Sequence, residues 1–258
     1  TINSVSPSVQ YKLMSTTVNP KEDEAYHLGQ LKIPAAQKLV TSKPITVAVI
    51  DQGVDTSHPD LTGRLLGTYN VVDPATQGAR DYHGTHVAGI IAATKDNKLG
   101  AYGVNPNAKI LSVNVFDGNE YTSDYTISEG IQYAVSKGAK VINMSLGGTM
   151  YSQLLDDTIQ YAISKGVVVV AAAGNSGTNE YSYPASYDGV ISVGATNSQK
   201  KLATFSTYGP GVDVVAPGEF IYSTIYSPAI GSSYYYLSGT SMATPIVSGI
   251  ASLLKTKY

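Results

Sequence analysis

The sequence predicts a single α/β domain built on a mainly parallel β-sheet that is flanked by helices. Short apolar runs rich in β-branched residues recur along the chain, which is typical of strands buried on both faces. Helical patterns lie between most of these runs, and that alternation favours a parallel sheet. The 258 residues, of which 43% are hydrophobic, are enough for one sizeable core.

The predicted elements can be given in chain order. The strand runs are residues 45–50, 109–116, 140–146, 167–173 and 190–195. Helices are predicted at residues 87–93, 131–138, 159–166 and 243–254. The middle two helices have almost the same sequence, and each ends in a lysine and a glycine that can adopt the left-handed capping conformation. Because a strand follows each of them at once, we expect two consecutive strand–helix–strand units with right-handed crossovers.

Two segments lack a clear periodicity of apolar residues. Residues 1–25 contain the charged run at 21–24, so we predict an N-terminal arm ahead of a domain at residues 26–258. Residues 223–238 are rich in glycine, serine and tyrosine, which predicts a loop or a hairpin. The sequence starts at Thr1 without a basic and then apolar leader, so we expect any signal or pro-segment either to have been removed or to lie outside this sequence.

Composition excludes several functions. The net charge of -2 offers no basic stripe for nucleic acid, and no apolar run is long enough to cross a bilayer. The absence of cysteine excludes disulfides, thiolate metal sites and a cysteine nucleophile. A nucleophile in this chain must therefore be another residue type.

Asp51 directly follows the first predicted strand. Ligands of open parallel sheets collect beyond the carboxyl ends of the strands, so this position suits catalysis. A carboxylate beside a buried strand needs a hydrogen-bonding partner in either case, because an unpaired buried charge is costly. Asp51 alone is therefore weak evidence for function.

The four histidines are His27, His58, His83 and His86. His83 is the favoured general base, because it precedes an apolar helix whose start can project the ring towards Asp51. The alternative is a metal pair of His83 and His86. No glutamate completes a His-Glu-x-x-His arrangement and no third ligand is evident, which disfavours metal catalysis. We expect His86 to be a packing residue and His58 to be a turn residue.

Ser241 lies in the heptapeptide Gly-Thr-Ser-Met-Ala-Thr-Pro at residues 239–245, where a loop becomes an apolar helix. A serine at a helix N-terminus exposes its hydroxyl to the positive end of the helix dipole. The alternative for a lone serine in such a place is an ordinary helix cap. The complete heptapeptide favours a nucleophile.

Asp51-Gln-Gly, His83-Gly-Thr-His and the heptapeptide around Ser241, in this chain order, resemble the subtilisin-like serine proteases from about Tyr26 to the end. The resemblance implies a three-layer, subtilisin-like sandwich and a serine endopeptidase that works through an acyl-enzyme. It makes Ser241 the nucleophile, His83 the general base and acid, and Asp51 the group that orients His83. Asn175 and the Ser241 amide would form the oxyanion hole, although an asparagine in this context is commonly a turn former.

The resemblance also implies how a substrate binds. The residues implied to contact it are Ser145, Leu146 and Gly147 on one edge, Glu120, Tyr121 and Thr122 on the other edge, and Ala172, Ala173 and Gly174 in the primary pocket. An extended polypeptide would bind as an added strand. Glu120 would favour basic side chains, and Ser182 stands where the family commonly has a pocket-floor glycine.

A structural calcium ion is a further implication of the resemblance. Asp60 matches the family's calcium aspartate, and Asp96 and Asn97 in the following loop are candidate oxygen ligands. Lys95 and Lys98 in the same loop weaken this hypothesis, because their charge opposes a cation.

The expected protein is an extracellular or cell-surface monomer that cleaves a polypeptide substrate and is made with an inhibitory pro-segment. One alternative is an inactive member of the family that binds peptides. Another is an α/β-hydrolase esterase, which is disfavoured because Ser241 lacks the Gly-x-Ser-x-Gly elbow and the triad order differs.

Overall fold

A seven-stranded sheet lies at the centre of the molecule, for which the computed structural model describes residues 19–258. Its strands are β1 (Thr46–Asp51), β2 (Leu65–Asn70), β3 (Lys109–Asn114), β4 (Val141–Met144), β5 (Val168–Ala172), β6 (Ile191–Thr196) and β7 (Val214–Pro217). They lie in the order β2-β3-β1-β4-β5-β6-β7, and every neighbouring pair is parallel. The predicted parallel sheet is therefore confirmed.

Helices connect the strands and cover the sheet. They are α1 (Tyr26–Gln30), α2 (Ile33–Gln37), α3 (Tyr82–Ala92), α4 (Asp124–Ser136), α5 (Gln153–Ser164) and α6 (Thr240–Leu254), with short 3-10 turns at Glu22–Glu24 and Pro59–Leu61. Within residues 19–258, no helix combines the length and apolar character needed to cross a membrane.

Side chains that alternate between the two faces of the sheet form two hydrophobic cores. Val47 and Val49 of β1 pack into a cluster with residues of α3 and α6, whereas Ala48 and Ile50 pack into a second cluster with residues of α4 and α5. Successive side chains of a strand point to opposite faces, so one apolar run supplies both clusters. The result is the expected three-layer sandwich, with helices on both faces of the sheet.

The two outermost strands, β2 and β7, were not predicted from the sequence. β2 is only partly buried and its register shifts between Leu65 and Gly67. β7 is short and ends in Pro217, a residue that sheets accept mainly at their edges. Edge strands are covered less completely than central ones, so they lack the continuous apolar run on which the prediction relied.

Gly138 and Gly166 follow the ends of α4 and α5 and have the predicted left-handed conformation, with φ angles of 79° and 76°. Both helices begin earlier than the repeated sequence. Ser123 and Ser152 cap them, because each side chain accepts a hydrogen bond from a backbone amide in the first helical turn.

The segment at residues 223–238 lies in an antiparallel hairpin of β8 (Ile221–Ser227) and β9 (Gly231–Leu237) that packs on α3. Ser223 and Thr224 donate to backbone carbonyls of α3 at 2.9 and 2.8 Å. His86 and His58 approach backbone carbonyls of β9 at 3.1 and 2.8 Å through their Nε2 atoms. A carbonyl only accepts, so these ring nitrogens carry hydrogen. His86 is thus a packing residue, as predicted.

The described part of the predicted arm lies against the domain. Asn19 and Ala25 are buried, and the Lys21 amide donates to the Gly100 carbonyl at 2.9 Å. The rest of that arm, residues 1–18, lies outside the described residues. The boundary at residue 25 stays a prediction.

Buried neutral histidines should make the fold sensitive to acid. His27 in α1 is 1% exposed, and neither ring nitrogen has a hydrogen-bond partner within residues 19–258. Burial lowers the pKa of His27 to about 4, whereas an unfolded histidine titrates near 6.5. Between these values the unfolded chain binds more protons, so we expect the free energy of unfolding to fall as the pH drops from about 6.5 to about 4.

The measurement is urea unfolding at several pH values in a Ser241→Ala background, which prevents self-digestion. A His27→Leu variant should lose less stability across this window than its parent. Equal losses in the two proteins would contradict the role given to His27.

Candidate active site

The site lies where the strand order diverges. After β1 the chain forms β2 and β3 on one side of β1. It then crosses to β4, which begins the other half of the sheet. Asp51 is the last residue of β1, and Ser145 directly follows β4. A crevice between neighbouring strands whose connections leave in opposite directions is the usual ligand position in open α/β sheets.

Asp51 and His83 form the closest ionisable pair of the site. His83 Nδ1 lies 2.8 Å from Asp51 Oδ1 and 3.0 Å from Asp51 Oδ2. His83 is the second residue of α3, and Asp81 caps this helix by accepting a hydrogen bond from the His83 amide. A Cβ added at Gly84 would lie 2.2 Å from the Gly53 carbonyl oxygen, so only glycine permits this close approach of the two segments.

The environment of His83 favours its protonated form. Burial on its own lowers the pKa of the imidazole, but the charge and the hydrogen bond of Asp51 oppose this, with a smaller contribution from the charge of Asp81. The net result is a pKa above the ordinary histidine value. The Asp51 side chain is 2% exposed, so its negative charge is screened little by water.

Ser241 is the second residue of α6 and exchanges two hydrogen bonds with Ser145. The Ser241 hydroxyl donates to the Ser145 carbonyl at 3.2 Å, and the Ser145 hydroxyl donates to the Ser241 carbonyl at 2.8 Å. Within the described residues, no hydrogen bond joins Ser241 Oγ to His83. The absence of this bond is compatible with a role in catalysis, because catalytic hydrogen bonds are commonly loose in unliganded sites.

Asn175 is oriented by Thr240. Asn175 Oδ1 accepts from the Thr240 amide at 2.8 Å and from the Thr240 hydroxyl at 2.9 Å, while that hydroxyl accepts from the Gly174 amide at 3.2 Å. A backbone N–H can only donate, so the atom that faces it must be the oxygen. Both hydrogens of the Asn175 NH2 group thus remain available to a ligand. The Ser241 amide, in the first turn of α6, has no intrahelical acceptor.

A groove of about 650 Å³ begins at Asp51 and His83 and contains both edges implied by the sequence. Its walls include Ser145, Leu146 and Gly147 on one side and Glu120, Tyr121 and Thr122 on the other. Tyr121 is 85% exposed, so its ring stands at the rim without protein cover. The groove continues to residues that the sequence did not single out, namely Asp124, Ile127, Met150, Tyr151, Leu155 and Tyr183.

The residues expected in the primary pocket, 172–174, lie near Gly147, because Gly147 and Gly174 are both close to Ser182. Ala172 and Ala173 are buried at the end of β5. A Cβ added at Gly147 would lie 2.8 Å from Ser182 Oγ, and one added at Gly174 would lie 3.8 Å from Ser182 Cβ. Ser182 thus lies close to both walls and narrows the space between them.

The candidate calcium residues are only partly brought together. Asp60 is fully buried, and its Oδ1 accepts from Asn97 Nδ2 at 2.6 Å. Burial raises the pKa of Asp60 to about 6. Asp96 is exposed, and Lys95 is directed away to Gln37 Oε1 at 2.9 Å. Across residues 19–258, no cluster of at least three histidine, aspartate, glutamate or cysteine side chains could hold a metal ion.

Oxygen atoms of the same loop converge on Asn19. Asn19 Nδ2 lies 3.2 Å from the Thr94 carbonyl, 3.0 Å from Asn97 Oδ1 and 2.5 Å from the Leu99 carbonyl. These loop oxygens and the buried Asp60 carboxylate are the type of donor that calcium prefers, and Asn19 Nδ2 lies among the loop oxygens while Asn19 Oδ1 accepts from the Asp96 amide at 2.8 Å. Sequence reasoning missed Asn19, because nothing in its local pattern indicates a contact with a loop so far along the chain.

Thr240 was also missed as a functional residue. The sequence did contain an indication of its importance, because Thr240 lies beside Ser241 in the heptapeptide and carries a hydroxyl. What the sequence could not reveal is that this hydroxyl orients Asn175.

The fold and the site define a serine protease of the α/β class. The sequence model described as the Subtilase family matches residues 42–258, and the chain therefore belongs to the subtilase family. It is a subtilisin-like serine endopeptidase.

Individual relatives agree with this assignment. Thermitase from Thermoactinomyces vulgaris is 44% identical over 90% of this chain and 82% of its own, and Subtilisin Savinase from Lederbergia lenta is 43% identical over 89% and 83%. A thermophilic serine proteinase from a Bacillus species is 48% identical over 82% of this chain, which spans about half (52%) of that relative. A solved protease from Pseudoalteromonas arctica has a TM-score of 0.86 at 33% identity, covering 93% of this chain and 87% of its own.

The raised pKa of His83 gives a direct test of the Asp51–His83 pair. In Ser241→Ala protein we expect NMR titration to place the His83 pKa above about 6.5, the ordinary value. Asp51→Asn should lower the pKa, because it removes the main opposing charge. Asp81→Asn keeps the helix cap and should lower it less. A larger effect from the Asp81 variant would contradict the electrostatic account.

Proposed function

We propose that the chain hydrolyses peptide bonds through an acyl-enzyme in which Ser241, His83 and Asp51 act together. The observation that carries this proposal is the hydrogen bond between Asp51 and His83, two residues that line the groove. Ser241, in the first turn of α6, lies beside the same groove. Family membership supports the endopeptidase activity, and the local geometry supports the role of each residue.

In the first step, the Ser241 hydroxyl turns from the Ser145 carbonyl to His83 Nε2. The neutral imidazole removes the proton as Ser241 Oγ attacks the substrate carbonyl. Asp51 bonds Nδ1, which keeps Nε2 free of hydrogen before the attack and stabilises the imidazolium afterwards. The same imidazolium then gives its proton to the leaving amine, and a water molecule repeats the sequence to release the acyl group.

The negative charge that develops on the substrate oxygen needs fixed donors. The Asn175 NH2 group and the Ser241 amide are both free to bond it. Thr240 holds the Asn175 oxygen on its far side, so this side chain need not reorganise during the reaction. The positive end of the α6 dipole also acts at this point.

The substrate class is an extended polypeptide. The backbone of the 145–147 segment forms one wall of an open groove, which suits binding as an added strand. Glu120 on the opposite wall is exposed and favours basic side chains nearby. Ser182 limits the primary pocket to side chains of moderate size.

The experiment is labelling with a fluorophosphonate, which reacts only with an activated serine, alongside hydrolysis of casein. The wild type should take up one label per molecule, and Ser241→Ala should lose both labelling and nearly all hydrolysis, because the attacking oxygen is gone. Ser198→Ala, a change at an exposed turn far from the groove, is the matched control. Folded wild type that neither reacts nor cleaves casein would instead support a peptide-binding role.

We further propose that Asp60, Asn97 and the carbonyl groups of Thr94 and Leu99 hold a structural calcium ion, and that Asn19 joins them by turning its amide so that Oδ1 takes the place of Nδ2. Asp60 supplies a carboxylate whose pKa is raised by burial. A calcium ion would supply that charge and tie the N-terminal segment to the loop. This selection replaces Asp96 with Asn19.

Calcium should raise the melting temperature of Ser241→Ala protein by several degrees relative to a chelator, because it binds only the folded state. Asp60→Asn should remove the shift, whereas Asp96→Asn should leave it unchanged. A shift that survives Asp60→Asn would refute the site, and one lost in Asp96→Asn would favour the ligand set predicted from the sequence.

The remaining expectations follow from the family. We propose an extracellular or cell-surface monomer that folds with the help of an inhibitory pro-segment.

A further inference from the structure

The nucleophile's own carbonyl lacks its normal partner in the helix. In an α-helix the carbonyl of Ser241 would accept a hydrogen bond from the amide of residue 245. Residue 245 is Pro245, which lies inside α6 and has no N–H. The first turn of α6 is therefore left without one of the bonds that would hold Ser241 in place.

Ser145 supplies the missing donor. Its hydroxyl donates to the Ser241 carbonyl at 2.8 Å, and Ser145 itself is 5% exposed, so this donor is fixed inside the protein. A hydroxyl has one hydrogen, so Ser145 can serve Ser241 only if its other polar neighbour donates to it.

That neighbour is Asn143 in β4. Asn143 Nδ2 donates to Ser145 Oγ at 3.1 Å, and Asn143 Oδ1 accepts from the Ser248 hydroxyl at 2.8 Å. Asn143 and Ser248 are both fully buried. The Ser241 carbonyl can only accept, so it sets the direction of all three bonds: Ser145 donates to the carbonyl, Asn143 Nδ2 donates to Ser145, and Ser248 donates to Asn143 Oδ1.

Without Ser248, Asn143 Oδ1 loses its donor inside the protein, and the amide is held only through its contact with Ser145. A buried acceptor without a donor is costly, so Asn143 would shift towards another partner. A shift of Asn143 moves the Ser145 hydroxyl away from the position in which it holds the Ser241 carbonyl.

We propose that Ser248 and Asn143 are positioning residues for the nucleophile, acting through the Ser145 hydroxyl to replace the helical hydrogen bond that Pro245 removes. The inference rests on the proposed function, in which Ser241 is the attacking residue. Ser248 lies two helical turns beyond Ser241 and is fully buried, so it would affect catalysis without contacting the substrate.

The first experiment compares Ser248→Ala with Ser252→Ala. Ser252 is an equally buried serine on the same helix, and its hydroxyl accepts from Asn105 at 2.8 Å, so the control also breaks a buried asparagine–serine pair. We expect Ser248→Ala to lower kcat and the rate of fluorophosphonate labelling about ten-fold, the effect of one misplaced hydrogen bond, with KM changed less than about two-fold. Ser252→Ala should lower thermal stability with kcat within about two-fold of the wild type.

Equal kcat values in the two variants, at similar loss of melting temperature, would overturn the proposal and leave Ser248 a structural residue. An inactive, unlabelled wild type would instead refute the proposed function, so the two failures are distinguishable.

The second experiment uses Pro245→Ala, which returns an N–H to the Ser241 carbonyl. In this background Ser248→Ala should reduce kcat less than about two-fold, because the carbonyl no longer depends on Ser145. An unchanged ten-fold loss would show that Ser248 acts by another route and would overturn the proposal.

Discussion

The parallel pairing of β1 with β4 is the constraint on which the active site depends. It places the end of Asp51's strand beside the segment that begins with Ser145, so the proposed catalytic carboxylate and the proposed substrate-binding wall share one edge of the sheet. The helices on one face then bring His83 and Ser241 to the same edge. A change in the order of these two strands would separate all of these groups at once.

Polar contacts between side chains orient the residues that the sheet and helices bring together. The Asp51–His83 bond, the Thr240–Asn175 bonds and the exchange between Ser145 and Ser241 all join segments far apart in the chain. Each bond has a preferred direction as well as a distance, so it orients the side chains that it joins. The hairpin β8–β9 contributes indirectly, because it packs on α3, the helix that carries His83.

The loop at residues 94–99 shows where sequence reasoning is weakest. The resemblance selected Asp60 and residue type selected Asp96 and Asn97, but only Asp60 and Asn97 are in contact, and Asp96 is exposed. Asn19 was missed because its partners lie in a distant loop. The edge strands β2 and β7 were missed for a related reason, since partial burial leaves a weaker apolar signal.

The sequence by itself determined the α/β class, the central strands, the main helices, and the identity of Asp51, His83, Ser241 and Asn175 as the residues of interest. These follow from apolar periodicity and from short motifs, both of which are local. Only the tertiary structure decided the strand order, the orientation of the Asn175 amide and the partners of the Ser241 carbonyl. Those features depend on which atoms meet across long stretches of chain, and a hydrogen-bond donor shows its role only when its acceptor is in place.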